Sequence, residues 1–307
     1  MTTLLHSLLP DAKTRERLSR YSLAPQHVVD DRHRAAHLSR QRGDGLEFHQ
    51  YRAYQSGDDL RLVDWRLYAR SDRLFVREAQ QESRLTVCLL MDVTAAMGLV
   101  DQAGIARIEY ARRIAAALAW LAVRRQHPLM AIAFGETTRP VLPAGVGMRQ
   151  LERVCHWLAA LTPKAGWPAR EHRHRLMQTL PARSLLIAVS DFAQLTDEQQ
   201  RSWQDLLTQA HALISIQLLL DSELQFLQRG RIEIVEPESG ARRLVDAKAV
   251  ADGYPQRLQR WLDQVRAQQL ALGARFVRSS TSMALDAVLS AVLSDRRSAK
   301  ARLLVGS

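Results

Sequence analysis

Leu85-Thr-Val-Cys-Leu-Leu-Met-Asp-Val-Thr-Ala-Ala-Met97 is the most informative run in this 307-residue sequence. It opens with an apolar run of strand length, and an apolar-striped segment of helical length follows from about residue 104 to 126. A second apolar run, Leu129 to Phe134, comes directly after that segment. A buried strand, a helix and a second buried strand in succession are typical of a parallel β-α-β unit. The stretch therefore predicts a parallel sheet.

The same pattern recurs towards the C-terminus. We predict strands at 184–190, 213–220 and 274–277, and helices at 196–210, 251–272 and 283–293. Two short runs around Pro237-Glu-Ser-Gly240 predict a β-hairpin inserted at about 228–247. Strands that are apolar on both faces need helices on both sides of the sheet. The fold class that follows is α/β, with a doubly wound, mostly parallel sheet over residues 85–298.

Three further segments flank this domain. Residues 1–42 are polar and predict a helical lead and a loop. Residues 43–84 contain Gly-Asp turns between short alternating runs, such as Leu46 to Tyr51 and Leu74 to Val76, which predicts a small β-rich segment. Residues 299–307 remain as a tail.

The amino-acid composition limits the classes of protein to which this chain can belong. Hydrophobic residues make up 47% of the chain, enough to bury a full core. The start, Met1 to Pro10, lacks the basic and apolar regions of a signal peptide. The longest apolar run, Ile114 to Val123, is about half of the roughly 20 residues that a membrane-spanning helix needs. Two cysteines, Cys88 and Cys155, are too few for a disulfide framework. We expect a cytoplasmic protein with no membrane insertion.

Acids stand at the ends of two predicted strands. Asp92 and Thr94 follow the first strand, and Asp191 follows the strand at 184–190. Ligands of open α/β sheets bind at the carboxyl ends of the strands, and hard oxygen ligands suit Mg²⁺. The pattern predicts a divalent cation site. The alternative is that Asp92 and Asp191 only cap neighbouring helices or pair with arginines.

These residues resemble known families. The loop Asp92-x-Thr94-x-Ala96, together with Ser190-Asp191, resembles the metal-ion-dependent adhesion site of a von Willebrand factor type A domain. The run Tyr54-Gln-Ser-Gly-Asp-Asp-Leu-Arg-Leu-Val-Asp-Trp65, with Leu74-Phe-Val-Arg-Glu78, resembles the signature of the domain-of-unknown-function 58 family. A looser match follows at Asp221-Ser-Glu223 and at the Pro237 turn. The resemblance covers about residues 43–293 and implies a sheet of von Willebrand factor type A type.

The sequence departs from the adhesion-site pattern in two places. Ala96 stands where the pattern calls for a hydroxyl, and the loop Pro143-Ala-Gly-Val-Gly-Met148 lacks the expected Thr. Water can replace missing ligands on Mg²⁺, but the affinity should fall. We therefore expect a degenerate site, made by Asp92, Thr94 and Asp191, that binds Mg²⁺ weakly, and no other cofactor.

The family signature has a physical interpretation of its own. Gly57, Asp58 and Asp59 suit a turn, while Arg61 and Asp64 can form an ion pair that Trp65 shields from water. This arrangement predicts a structural clasp that pins the β-rich segment to the main domain. The alternative is a partner-binding surface.

No phosphate loop, zinc-protease motif or nucleophile elbow occurs, and we expect a protein that is not an enzyme. Members of the resembled family are associated with MoxR-type AAA+ ATPases, which implies an adaptor that acts in assembly or chaperone-like maturation of client proteins. One alternative is a nucleic-acid partner. Residues 107–183 hold 13 Lys and Arg against four acids, so this stretch carries most of the chain's net charge of +11. Another is a hydrolase that uses Asp92 and Asp191 with a metal.

Overall fold

The computed structural model describes residues 7–21, 23, 47–54, 63–80, 85–135, 140–164, 175–176, 178–181, 183–193, 210 and 212–294. The chain forms two compact units, residues 30–84 and residues 1–29 with 85–307. The elements in chain order are α1 (Ala12–Leu18), β1 (Glu47–Ala53), α2 (Trp65–Ser71), β2 (Phe75–Gln80), β3 (Thr86–Asp92), a 3₁₀ turn (Ala95–Gly98), α3 (Arg107–Arg124), β4 (Leu129–Phe134), β5 (Val141–Gly145), α4 (Gly147–Ala160), β6 (Ser184–Ser190), β7 (Ala212–Leu219), α5 (Asp221–Leu224), β8 (Arg231–Val235), β9 (Arg242–Asp246), α6 (Ala247–Ala251), α7 (Tyr254–Ala271), β10 (Arg275–Ser280) and α8 (Leu285–Leu293).

The smaller unit is an antiparallel strand pair with a helix between its strands. β1 pairs with β2 along its whole length, from Glu47 opposite Gln80 to Ala53 opposite Phe75. The sequence pattern predicted both strands and is confirmed there. It did not predict α2, which begins because the side chain of Asp64 accepts the backbone N–H groups of Arg66 and Leu67.

The larger unit is built on a six-stranded sheet in the order β10-β7-β6-β3-β4-β5. All neighbouring strands are parallel except β5, which runs antiparallel to β4 at one edge. This confirms the predicted mixed α/β class with a mostly parallel sheet. Every residue of β3, β4 and β6 is buried, as expected for central strands that helices cover on both faces.

Side chains alternate between two apolar layers. Val87, Leu89 and Met91 of β3 face the layer that contains α1, α3, α4 and α8. Cys88 and Leu90 face the opposite layer, which α7 covers. The helix α3 is buried along most of its length, because it lies between the sheet and the helices α4 and α8. No helix among the described ranges is long and apolar enough to cross a membrane.

Three sequence predictions need correction or restriction. The helix predicted at 251–272 begins three residues later, as α7, because Gly253 adopts a positive φ of 68° before it and Pro255 lies in its first turn; Ala251 instead ends the short helix α6. The stretch 143–148 is not a loop beside Asp92, because most of it belongs to β5 and the first turn of α4. The helix predicted at 196–210 falls almost wholly outside the described residues. The inserted hairpin is confirmed as the pair β8 and β9.

Candidate functional site

Two acids lie at the carboxyl edge of the parallel sheet, as the strand pattern predicted. Asp92 is the last residue of β3, and Asp191 directly follows β6, the neighbouring parallel strand. Both side chains are almost fully buried. The next residue, Phe192, has a positive φ of 56°, which is costly for a bulky side chain. The backbone is therefore strained at the point where Asp191 is held.

Asp92 is surrounded by hydrogen-bond donors. Its Oδ1 accepts the backbone N–H of Thr94 at 2.9 Å and the Thr94 hydroxyl at 2.7 Å. Its Oδ2 accepts the Ser190 hydroxyl at 2.5 Å. Burial, and then the charge of Asp191, raise the pKa of Asp92 to about 7, against the opposing effect of these hydrogen bonds. Asp92 thus holds the first strand-end loop against the end of β6.

A buried arginine connects three parts of this edge. Arg107, the first residue of α3, is fully buried, and its guanidinium donates to Oδ2 of Asp191 and to Oε1 of Glu223. Glu223 belongs to α5, the short helix after β7. Its other oxygen accepts the N–H of Leu220 at 2.8 Å. The arginine therefore ties the start of α3 to the ends of β6 and β7.

The inserted hairpin also reaches this edge. Oε1 of Glu238, in the turn between β8 and β9, accepts the backbone N–H of Ala96 at 3.0 Å. Ala96 is the position where the adhesion-site pattern calls for a hydroxyl. The contact joins residues 142 positions apart in the chain. The hairpin turn is thereby fastened to the Asp92 loop.

The third chain segment at the site is not the one predicted. Val141 pairs with Ile132, and Gly145 pairs with Leu129 at the start of β4. The stretch 143–148 therefore leads to the amino edge, and its interpretation as a ligand loop was wrong. The segment after α4 takes that place, because the N–H of Lys164 donates to the carbonyl of Val93 at 3.0 Å.

The predicted cation ligands are brought together, but their oxygens have protein partners. Besides the contacts of Asp92, Oδ1 of Asp191 accepts the N–H of Ala193 at 3.0 Å, and its Oδ2 binds Arg107. The Thr94 hydroxyl donates to Asp92. Within the described ranges, no group of three or more His, Cys, Asp or Glu side chains is placed to hold a metal ion. In this arrangement the residues do not fit a divalent cation.

The family signature is described only in part. Gly57, Asp58, Asp59 and Arg61 lie outside the described residues, so the predicted Arg61–Asp64 pair stays a prediction. Asp64 is buried and caps α2. Trp65 was expected to shield that pair, but its side chain is 56% exposed and packs edge-on against Tyr68. Trp65 is the first residue of α2, and its shielding of the pair stays a prediction together with the pair itself.

Sequence reasoning missed three contributors to the site. Arg107 was counted as one of many basic residues in 107–183, although its place at the start of a strongly apolar helix was a usable signal. Glu223 and Glu238 lay in stretches noted only as loose family matches. Each meets its partner across more than 100 positions. No local pattern predicts such a pairing.

Several basic side chains of the stretch 107–183 bind other groups of the same chain. Arg107 is buried, and the largely buried Arg112 donates to Glu109 and to the carbonyl of Leu161. Arg125 binds the carbonyls of Ser19 and Tyr21, at 2.7 and 2.8 Å through Nη2. These three cations hold helices and the N-terminal lead in place. A nucleic-acid partner for this stretch stays a prediction.

Comparison with known proteins gives a family. Residues 50–260 match the family described as "Protein of unknown function DUF58". The chain belongs to this family. Uncharacterized proteins of Mycobacterium bovis and Mycobacterium tuberculosis are 23% identical to it over 248 residues, which is 78% of this chain and 76% of theirs. The DUF58 assignment covers the signature, the Asp92 loop, Arg107, Asp191 and the hairpin.

Solved structures of low similarity also align with this DUF58 protein. BatB from Bacteroides thetaiotaomicron is 11% identical, with a TM-score of 0.40 over 68% of this chain and 97% of that one. An aerotolerance-related membrane protein from Bacteroides fragilis is 12% identical, with a TM-score of 0.41 over 68% and 96%. A membrane-spanning protein from Vibrio fischeri, also uncharacterized, is 14% identical, with a TM-score of 0.22 over 65% and 92%.

Proposed function

We propose that this DUF58 protein is a non-enzymatic adaptor with a von Willebrand factor type A-like domain. In this proposal the loops at the carboxyl edge of the sheet bind a MoxR-type AAA+ ATPase, and the pair acts in assembly or chaperone-like maturation of a client protein. The family signature and the resemblance of the Asp92 loop to an adhesion site support the choice of partner. The geometry of the edge supports the choice of a binding role.

The observation that carries the proposal is an exposed apolar loop beside the acids. Leu99 is 39% exposed and Val100 is 55% exposed, directly after the 3₁₀ turn that follows Thr94. Exposed apolar residues next to one another at a functional edge favour a protein-interaction surface.

This loop is also rigid enough to bind without large ordering costs. The carbonyl of Leu99 accepts the N–H of Arg107 at 2.9 Å, and the side chain of Asp101 accepts the N–H of Ile105 at 2.8 Å. A preorganised loop loses less conformational entropy when a partner binds. The Leu99–Val100 loop, defined here as residues 99–106, therefore suits the recognition of a folded partner.

The chemistry of the edge supports a role without catalysis. The Ser190 hydroxyl donates to Asp92 and accepts the backbone N–H of Phe192. Burial raises the pKa of the Cys88 thiol above its ordinary range and that of Cys155 to about 11. Neither thiol is therefore an ionised nucleophile at neutral pH. The acids at this edge hold loops and the arginine in place.

The test is capture of a purified MoxR-type ATPase from the same organism. Leu99→Asp places a charge in the proposed contact and should weaken capture by about tenfold or more, since an unpaired buried charge is costly. The matched control is Val146→Asp. Val146 is 61% exposed and follows Gly145 at the opposite, amino edge of the sheet.

Val146→Asp should capture the ATPase as the parent does. Equal capture by Leu99→Asp and the parent would show that the carboxyl edge does not bind this ATPase. Both variants should melt like the parent, because both positions are exposed.

A further inference from the structure

We infer that the guanidinium of Arg107 is the resident cation of the carboxyl-edge site, and that the site is complete without a divalent metal ion. The site in question consists of Asp92, Asp191, Arg107 and Glu223. Nothing in the sequence pattern or the family assignment gives Arg107 this role. The inference concerns the isolated protein and does not depend on the proposed partner.

The position of Arg107 is the first argument. A fully buried arginine is rare and needs opposite charges around it. Arg107 stands at the start of α3, next to a helix N-terminus where a cation gains nothing from the helix dipole. Its placement is explained by the two carboxylates that it bridges, Asp191 and Glu223, which come from different strand ends. The chain therefore delivers a fixed positive charge to the carboxyl edge.

The charge balance at the edge is the second argument. Asp191 is buried beside Asp92, and an uncompensated pair of buried carboxylates is strongly unfavourable. In a metal site a divalent ion supplies the compensation. Here the compensating positive charge comes from Arg107, whose guanidinium donates to Asp191. A divalent ion that bound the same carboxylate would be repelled by the guanidinium at short range.

The use of the oxygens is the third argument. Each carboxylate oxygen of Asp92 and Asp191 already accepts a hydrogen bond from the protein. Ala96 adds no side-chain oxygen to this loop, and its backbone N–H donates to Glu238 of the hairpin. The loop that would hold a metal is thus fastened by protein groups alone. A loop that is held by protein groups does not need a side-chain oxygen at position 96.

The experiment compares Mn²⁺ binding to the parent protein and to Arg107→Met by titration calorimetry. We expect no binding to the parent, and an equal melting temperature in EDTA and in Mn²⁺. Arg107→Met frees Oδ2 of Asp191 and Oε1 of Glu223, the two oxygens to which the guanidinium donates. It should therefore gain Mn²⁺ binding that titration calorimetry can measure, with a higher melting temperature in Mn²⁺ than in EDTA.

Asp191→Asn in the Arg107→Met background is the control, and it should abolish the gained binding. Tight Mn²⁺ binding by the parent would overturn the inference, as would a lower melting temperature of the parent in EDTA. A folded Arg107→Met variant that gains no Mn²⁺ binding would also overturn it. If Arg107→Met does not fold, the parent and Arg107→Lys decide the matter. If neither the parent nor Arg107→Lys binds Mn²⁺, the inference is supported. Mn²⁺ binding by either of them contradicts it.

Discussion

The carboxylate of Asp92 is buried at the end of β3 with three hydrogen-bond donors around it, two from Thr94 and one from Ser190. Donors to an ionised carboxylate lower its pKa, whereas burial and a neighbouring acid raise it. The balance at Asp92 lies on the side of a raised pKa, to about 7. We therefore expect this one residue to make the stability of the main unit depend on pH near neutrality.

The first prediction concerns this residue. The pKa of Asp92 is higher in the folded state than in the unfolded chain, so the folded state binds the proton more tightly. The contribution of Asp92 to the unfolding free energy is therefore favourable at low pH and is lost as pH rises from about 4 to about 7. Asp92→Asn cannot titrate. The unfolding free energy of Asp92→Asn should therefore increase relative to that of the parent as the pH rises through this range.

Urea unfolding of both proteins across the range gives the measurement. Asp101→Asn is the control, because Asp101 lies in an exposed loop and its pKa is lowered, first by the hydrogen bond from Ile105. A difference between Asp92→Asn and the parent that stays constant with pH would show that Asp92 does not titrate near neutrality.

In the smaller unit, Asp64 determines where α2 begins. Its side chain accepts two backbone N–H groups of the first turn, from Arg66 at 2.9 Å and Leu67 at 3.1 Å. Asp64→Ala removes this cap and should cost about 0.5–2 kcal/mol of stability in the smaller unit. Asp64→Asn retains a capping oxygen and should cost less. Hydrogen exchange of the α2 amides measures the effect, and equal exchange in the two variants would contradict the capping role.

The hairpin turn is fastened by the contact between Glu238 and the Ala96 N–H. Glu238→Ala removes the acceptor of the Ala96 N–H, so the turn between β8 and β9 should be cut by protease more readily, and the Ala96 amide should exchange faster. Glu238→Gln keeps an acceptor oxygen and serves as one control. Glu236→Ala, in the same turn and bonded to Ser239, serves as another. If all three variants resist protease like the parent, the Glu238 contact does not fasten the hairpin.

The sequence predicted those elements whose periodicity is strong. The strands Leu129–Phe134 and Ser184–Ser190 match their predicted bounds, because each is a continuous apolar run between polar turns. The helix α2 was missed, since its seven residues, Trp65–Ser71, contain no buried side chain and so show no apolar stripe. The edge strand β5 was read as a loop because Pro143 and Gly145 are typical turn residues.

The carboxyl edge of the sheet is assembled from distant parts of the chain. Asp92 and Asp191 could be placed there from the sequence, because each follows an apolar strand of a parallel sheet. Arg107 and Glu223 could not, since their pairing depends on how α3 and α5 pack after β3 and β7. The sequence predicted where the site lies, and the packing of helices determines which charges fill it.

Arg107 and Asp191 form a buried pair that closes this edge, and we expect the two side chains to be energetically coupled. A double-mutant cycle with Arg107→Met, Asp191→Asn and the double variant tests it most directly, with unfolding free energies measured in EDTA. Arg107→Met leaves the buried Asp191 without its cation and should cost about 3–5 kcal/mol, whereas Asp191→Asn leaves Arg107 paired with Glu223 and should cost less. The double variant should be destabilised by clearly less than the sum of the two single changes, giving a coupling energy of about 1–3 kcal/mol. Additive losses, or a folded Arg107→Met variant as stable as the parent, would contradict the account.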